Sequence, residues 1–280
     1  MSLIIVAVLL LPATLVAQAA DEPKPGFNLF TRQQDVQLGQ EAAGQVRKQM
    51  TIVNDPVLTN YVNAVGKRLM ESPEAKASGF PFSFEVVADP TINAFALPGG
   101  PMFINTGLLK AIDNEAQLAG VMGHEMSHVI LRHGTNQASK ENLIQIPLAL
   151  AGKLTESNSL MAQLAQMGIG LGANSVLLKF SRTDESQADL MGSHIMAEEG
   201  YDPIQMAKFF EKLNAQAGSV STIQFLSDHP NPGNRSKAIE LEASRLPERT
   251  YGYQTGLFNQ MKREVVKIHE PPPKKPQTQS

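Results

Sequence analysis

Cysteine is missing from this chain of 280 residues. Its absence removes disulfides, thiolate metal sites and thiol nucleophiles together, so any metal here must be held by histidine and carboxylate side chains. A surplus of charge is missing too, since 24 Lys and Arg stand against 27 Asp and Glu for a formal net charge of −3. No basic excess points to nucleic acid, and no acidic excess points to a solvating tail. No internal repeat is visible, and no apolar run is clearly long enough to span a membrane. Residues 3–16 come nearest, almost wholly apolar but interrupted by Pro12, and they lead into Ala17-Gln18-Ala19. That A-x-A pattern predicts a secretory signal at 1–19, cleaved after Ala19, although no Lys or Arg precedes it. An N-terminal anchor that stays attached is the alternative. No cysteine follows the cleavage position, which excludes lipoprotein attachment there.

The composition that remains, 42% hydrophobic and 18% charged, is that of a globular protein able to bury a full core. Residues 20–30 are polar and proline-containing and suit a linker. Val36, Leu38, Ala42, Ala43, Val46 and Met50 recur at helical spacing, predicting an amphipathic helix over 31–50. Asp55 followed by Pro56 reads as an N-cap and N1 pair opening a second helix. Residues 82–88, 93–97 and 102–104 read as strands, with the turn Pro98-Gly99-Gly100-Pro101 between the last two. Two or three strands beside several helices predict an α+β domain with a small, largely antiparallel sheet. Asn114 and Gln117 form a variant capping box for a helix that should stop at Gly134 as its C′ residue. Later helices should begin near Arg182, at Asp202-Pro203 and near Arg235, and the proline-rich residues 270–280 read as a disordered tail.

Chemistry concentrates in His124-Glu125-Met126-Ser127-His128. Histidines four apart on a helix project from one face and can grip one metal ion, while Glu125 beside them is placed to take a proton from a metal-polarised water. Zinc lowers the pKa of such a water towards roughly 7, and a carboxylate base completes a nucleophile at neutral pH. A catalytic zinc needs a third protein ligand. The H-E-x-x-H-x-x-G-x-x-H arrangement fails, because its glycine and last histidine positions hold Leu131 and Gly134. The other source is Glu185, whose i+4 neighbour Asp189 shares its face and is placed to fix the tautomer of a ligand histidine. His133 reads as a helix C-terminal capping residue, and His194 and His269 have no assigned role. His229 stands in Asp228-His229-Pro230-Asn231-Pro232-Gly233-Asn234-Arg235, a rigid loop from which a His and an Arg could reach the open side of the metal.

Four segments taken in order resemble the M48 family of zinc metallopeptidases: Asn93-Ala-Phe-Ala-Leu-Pro-Gly-Gly, the helix from Asn114 to His128, Ser181-Arg-Thr-Asp-Glu-Ser-Gln-Ala-Asp, and His229-Pro-Asn-Pro-Gly-Asn-Arg. The resemblance covers residues 31–246 and implies a mostly helical, gluzincin-like domain whose edge strand borders the active-site cleft. It implies one zinc ion on His124, His128 and Glu185, Glu125 as general base and acid, and Asp189 and Arg235 behind or beside the ligands. His229 and Arg235 would stand at the mouth of the site, and Asn93, Ala94 and Phe95 would form an edge strand pairing with substrate backbone. For His229 the reading adopted is a fourth ligand in a latent state; a donor to the developing oxyanion is the competing one.

Within the family, the soluble periplasmic branch fits better than the integral-membrane branch. Residues 247–269 read as a C-terminal extension too short for a repeat domain, leaving a bare protease domain. The implied activity is a zinc endopeptidase acting on polypeptides, chiefly misfolded or unassembled envelope proteins. No nucleic acid is implied, and the remaining partner expectation is a peripheral membrane or outer-membrane assembly contact. A chaperone-like holding module and a membrane-associated peptidase are the competing readings. Gly168, Gly170, Gly172, Gln163, Gln166 and Asn174 interrupt the apolar region 143–178, which favours a lid or packed helices over lipid contact.

Overall fold

A computed structural model describes residues 22–141, 159, 161–162, 180–217, 223–231 and 233–271. The signal at 1–19 and nearly all of 143–178 lie outside the described residues. Along the chain run α1 (Arg32–Gln49), α2 (Pro56–Leu69), α3 (Pro73–Ser78), β1 (Ser83–Val87), β2 (Ala94–Ala96), β3 (Pro101–Asn105), α4 (Thr106–Ala111) and α5 (Glu115–Ile130). They are followed by α6 (His133–Glu141), α7 (Arg182–Glu198), α8 (Ile204–Gln216), α9 (Phe225–Asp228), α10 (Arg235–Arg245) and α11 (Phe258–Val265). Among the described residues no helix is long and apolar enough to cross a membrane.

Helix starts follow from side chains that satisfy the first free N–H groups. Thr31 and Gln34 exchange hydrogen bonds at the head of α1, with the Gln34 N–H donating to the Thr31 hydroxyl at 3.2 Å. Asp55 accepts from the Val57 and Leu58 N–H groups at 2.9 and 3.0 Å, with Pro56 in the first turn. Asn114 accepts from the Gln117 N–H at 3.0 Å to open α5, and Ser181 and Asp184 form a reciprocal box at the start of α7.

The sheet has the order β1-β3-β2. β2 pairs with β3 antiparallel, with Phe95 opposite Phe103, but β1 pairs with β3 parallel, with Phe84 opposite Met102. The pairing expected from the sequence, largely antiparallel, is therefore corrected to mixed, while the α+β class holds. After β1 the chain crosses to the outer edge before turning into β3, so the returning strand lies in the middle and runs with β1. The turn needs glycine: Gly99 and Gly100 have φ of 75° and 122°, and a Cβ on Gly99 would lie 2.4 Å from the Val36 Cα in α1.

α5 is the central rod. All its residues from Gln117 to Ile130 are buried, as expected of a helix covered on every side. It packs against α2 and α8 and most extensively against α7. At that crossing the backbones meet without side chains between them, because a Cβ on Gly192 would stand 3.0 Å from the His124 nitrogen. The helix does not run on to Gly134. It ends at Ile130, Arg132 takes a left-handed φ of 58°, and Gly134 lies inside α6. The guanidinium of Arg132 fixes this conformation by reaching Asp35 and the Phe30 carbonyl, both at 2.5 Å.

Both flanking segments belong to the same body. Phe30 is buried, Asn28 donates to Thr135 at 2.8 Å and the Leu29 N–H donates to Ser139 at 3.0 Å, so residues 27–30 are docked on α6 instead of linking freely. In the C-terminal extension, Met261 and Val265 of α11 sit fully buried in the main core. Lys262 donates to the carbonyls of Lys110 and Ile112 at 2.6 and 3.0 Å, closing the end of α4. Glu270 bonds Thr106 and pairs with Lys110 at 2.8 Å, which moves the start of the tail past that residue.

Candidate metal centre

Three elements meet at the cleft end of the α5–α7 crossing. α5 supplies His124, Glu125 and His128, α7 supplies Glu185 and Asp189, and the segment after α9 supplies His229. All six side chains are buried. One ligand atom each from His124, His128, Glu185 and His229 lie within 4.8 Å of one another. The closest approaches are more regular than that bound. His124 Nε2 stands 3.0 Å from His128 Nε2, 3.2 Å from His229 Nδ1 and 3.4 Å from Glu185 Oε2. Glu185 Oε1 stands 3.0 Å from His229 Nδ1 and 3.5 Å from His128 Nε2. Ligands at about 2.0–2.1 Å around a tetrahedral ion such as zinc are separated by about 3.3 Å, so the donor set fits such an ion.

Each of the three inward imidazoles presents one nitrogen to the others and meets a further partner with its second nitrogen. His124 Nδ1 meets Asp189 Oδ1 at 3.0 Å. His229 Nε2 lies 3.2 Å from Glu125 Oε1. His128 Nδ1 meets His133 Nδ1 at 2.9 Å. Phe180 stacks on His128 with ring centroids 3.9 Å apart, and Phe225 stacks on His229 at 4.6 Å.

Charge follows from this packing. Burial alone would raise the Glu185 pKa, but hydrogen bonds from His124, His128 and His229 hold it well below the usual carboxylate range. Burial keeps the His128 imidazole neutral. At His229 burial also favours the neutral ring, yet Glu125 and Glu185 overcome it and carry the pKa to about 10. Two buried carboxylates facing these rings call for a cation beyond the Arg235 guanidinium, an Nη of which stands 3.3 Å from Glu185 Oε2. A proton on His229 and a metal ion at its Nδ1 are alternative ways of supplying one.

Two positions differ from the sequence reading. Arg235 is not at the mouth of the site: only 2% exposed, it donates to Asp189 Oδ1 through Nε and an Nη at 3.0 and 2.8 Å, has an Nη 3.2 Å from His124 Nε2 and 3.3 Å from Glu185 Oε2, and carries its guanidinium 3.9 Å above the Phe210 ring. Asn93 precedes β2, and its side chain donates to Asp228 Oδ2 at 2.9 Å, tying the strand to the segment that carries His229. Ala94 and Phe95 do lie in the edge strand, and the next N–H, that of Ala96, donates to Glu125 Oε2 at 3.1 Å.

Residues 56–243 match the model of peptidase family M48. The chain belongs to that family. It is 35% identical over 219 residues to the beta-barrel assembly-enhancing protease of Escherichia coli, covering 76% of this chain and 44% of that one. To the protein of the same name in Yersinia pestis it is 32% identical over 239 residues, 82% of this chain and 48% of that one. The mitochondrial metalloendopeptidase OMA1 of Schizosaccharomyces pombe is 32% identical over 183 residues, 65% of this chain and 52% of that protein. The chain thus spans about half the length of the curated relatives it matches. Every residue of the M48 centre described above falls within the matched span.

The sequence reading missed His133, taken for a C-cap. It begins α6 and backs the ligand His128 from outside the centre, with its own Nε2 3.2 Å from Gln187 Oε1. The available signal was its position five residues after His128, beyond a helix end that Arg132 and not Gly134 determines. His194 lies away from the centre, 2.8 Å from Glu242.

Proposed function

We propose that this chain is a zinc-dependent endopeptidase that hydrolyses polypeptides of the cell envelope, chiefly misfolded or unassembled ones, after export to the periplasm. The observation that carries the reading is the convergence of His124, His128, Glu185 and His229, with ligand atoms within 4.8 Å of one another, beside a carboxylate, Glu125, that points into the same buried centre. His124, His128 and Glu185 hold the ion. Zinc bound there supplies Lewis acidity, polarising water and the scissile carbonyl. Glu125 takes the proton from the attacking water and returns it to the leaving amine. Asp189 orients His124 by accepting its Nδ1–H, and Arg235 holds Asp189 in place. The edge strand β2 aligns the substrate backbone by strand addition. The names of the bacterial relatives, which refer to β-barrel assembly, support an envelope setting, as does the A-x-A pattern at Ala17–Ala19.

A second element of the reading is latency. His229 takes the fourth corner of the donor set with Nδ1 and covers Glu125 with Nε2, so one side chain restrains both the ion and the base. Its segment is held by the Asn93–Asp228 bond and by the Phe225 N–H donating to the Ile92 carbonyl at 3.1 Å. Displacing His229 opens the centre. Metal analysis of the purified chain, with casein cleavage before and after chelation, tests the main reading. One zinc per chain and chelator-sensitive cleavage are expected; cleavage that survives complete zinc removal would overturn it.

A further inference from the structure

We propose that His133 is a positioning residue that fixes the tautomer and ring orientation of the ligand His128. This rests on the zinc reading above. A neutral imidazole that ligates through Nε2 must carry its proton on Nδ1, and something must accept that N–H. For His124 a carboxylate is at hand, with Asp189 Oδ1 3.0 Å from Nδ1. Among the described residues no carboxylate is recorded against the outer nitrogen of His128; the atom 2.9 Å from Nδ1 is His133 Nδ1. If His128 donates there, His133 accepts at Nδ1 and carries its own proton on Nε2. That second nitrogen faces acceptors: Gln187 Oε1 at 3.2 Å and Asp184 Oδ1 at 3.8 Å. The donors therefore run in one direction, from His128 to His133 to Gln187, and every ring nitrogen along the way has one compatible role.

The backbone is arranged for this contact. Arg132 in the left-handed region turns the chain back after α5, and α6 starts with His133 against the helix it has just left. Gln187 lies two residues after Glu185 on α7, so the helix that supplies one ligand also ends the hydrogen-bond chain from another. Phe180 covers the face of His128, leaving the outer edge of the ring to His133. A residue there for bulk alone would not need both ring nitrogens engaged while only 4% exposed.

The test compares His133→Leu with His133→Asn in the full chain, by zinc competition against a chromophoric chelator and by ¹⁵N-histidine NMR of the zinc form. Asparagine places its Oδ1 where Nδ1 stood and keeps an acceptor, whereas leucine fills the space without one. His133→Leu should bind zinc about 10–100-fold more weakly. His133→Asn should bind close to the parent and retain the His128 Nδ1–H signal. Gln187→Leu, at a half-buried position where folding is not at stake, should show a smaller loss in the same direction. Equal zinc affinity in parent and His133→Leu would overturn the inference, as would an asparagine variant no better than the leucine one. Should His133→Leu not fold, unchanged zinc affinity in Gln187→Leu together with loss in His133→Asn would also overturn it. A parent that takes up no zinc would overturn the zinc reading as well, which separates the two failures.

Discussion

Replacing Gly192 by alanine tests whether the helix crossing sets the geometry of the metal centre. An alanine Cβ would lie 3.0 Å from the His124 nitrogen, 3.2 Å from the Gly123 carbonyl carbon and 3.3 Å from the His124 Cα. Carbon contacts settle at about 3.5–4.0 Å, and all three neighbours are backbone, so α5 and α7 must part by several tenths of an ångström. Metal–ligand distances tolerate about 0.2 Å. Glu185 rides on α7 two turns before the contact while His124 and His128 stay with α5, so the centre feels the shift before the fold does. Alanine gains about 1 kcal/mol of helix propensity over glycine, and overpacking costs about 1–3 kcal/mol, leaving a net loss of about 0–2 kcal/mol. Zinc affinity should fall about 10–100-fold, on the scale of losing an outer partner of a ligand. Urea denaturation of the chelated chain and zinc competition separate the two effects. Gly44→Ala is the control: nothing lies within 4 Å of its Cβ, so it should gain up to about 1 kcal/mol and leave zinc binding alone. A Gly192→Ala chain that binds zinc as tightly as the parent would refute the reasoning.

Glu125→Gln should abolish peptide cleavage with zinc content and fold intact, since Glu125 moves protons and does not ligate; loss of zinc from the purified variant would reject that role. His124→Ala and Glu185→Ala should each lose zinc and activity together, whereas Asp189→Asn should cost about 10–100-fold in affinity or activity; stoichiometric zinc in Glu185→Ala would mean another carboxylate is the third ligand. His229→Ala should keep zinc on its three other ligands and cleave casein at least as fast as the parent. A fall of about 10²–10³-fold with zinc still bound would favour the oxyanion role instead.

Local chemistry made much of this structure readable in advance. Asp55-Pro56, Asn114 and Ser181 mark helix starts because a capping side chain answers to N–H groups two or three residues away. The i, i+4 pairs His124–His128 and Glu185–Asp189 project their side chains together for the same local reason. What was not readable depends on distant partners. The left-handed Arg132 owes its place to Asp35 and Phe30, about a hundred positions earlier in the chain. Strand sense depended on which strand β1 would neighbour, and no residue within β1 specifies that. Arg235 lies away from the mouth of the site because Phe210 and Asp189 receive it. The docking of α11 went unread: Phe258, Met261 and Val265 share one face, but the three carbonyls at the end of α4 that receive Lys262 are set by the tertiary fold.

The hydrogen bond from the Ala96 N–H to Glu125 has a consequence for the order of events in the proposed cleavage. In β2, Phe95 faces the sheet interior across from Phe103, and its neighbours Ala94 and Ala96 turn their backbone groups to the open edge. A peptide strand laid along that edge needs the same N–H that holds Glu125 Oε2. A carbonyl that accepts this hydrogen competes with the carboxylate for it, so a chain docked as proposed would loosen the tether of the base. A small molecule that reaches the centre without lying on β2 leaves the tether in place. If β2 aligns a polypeptide as proposed, the same rail would double as an interlock, freeing the base for an extended chain and not for a small molecule.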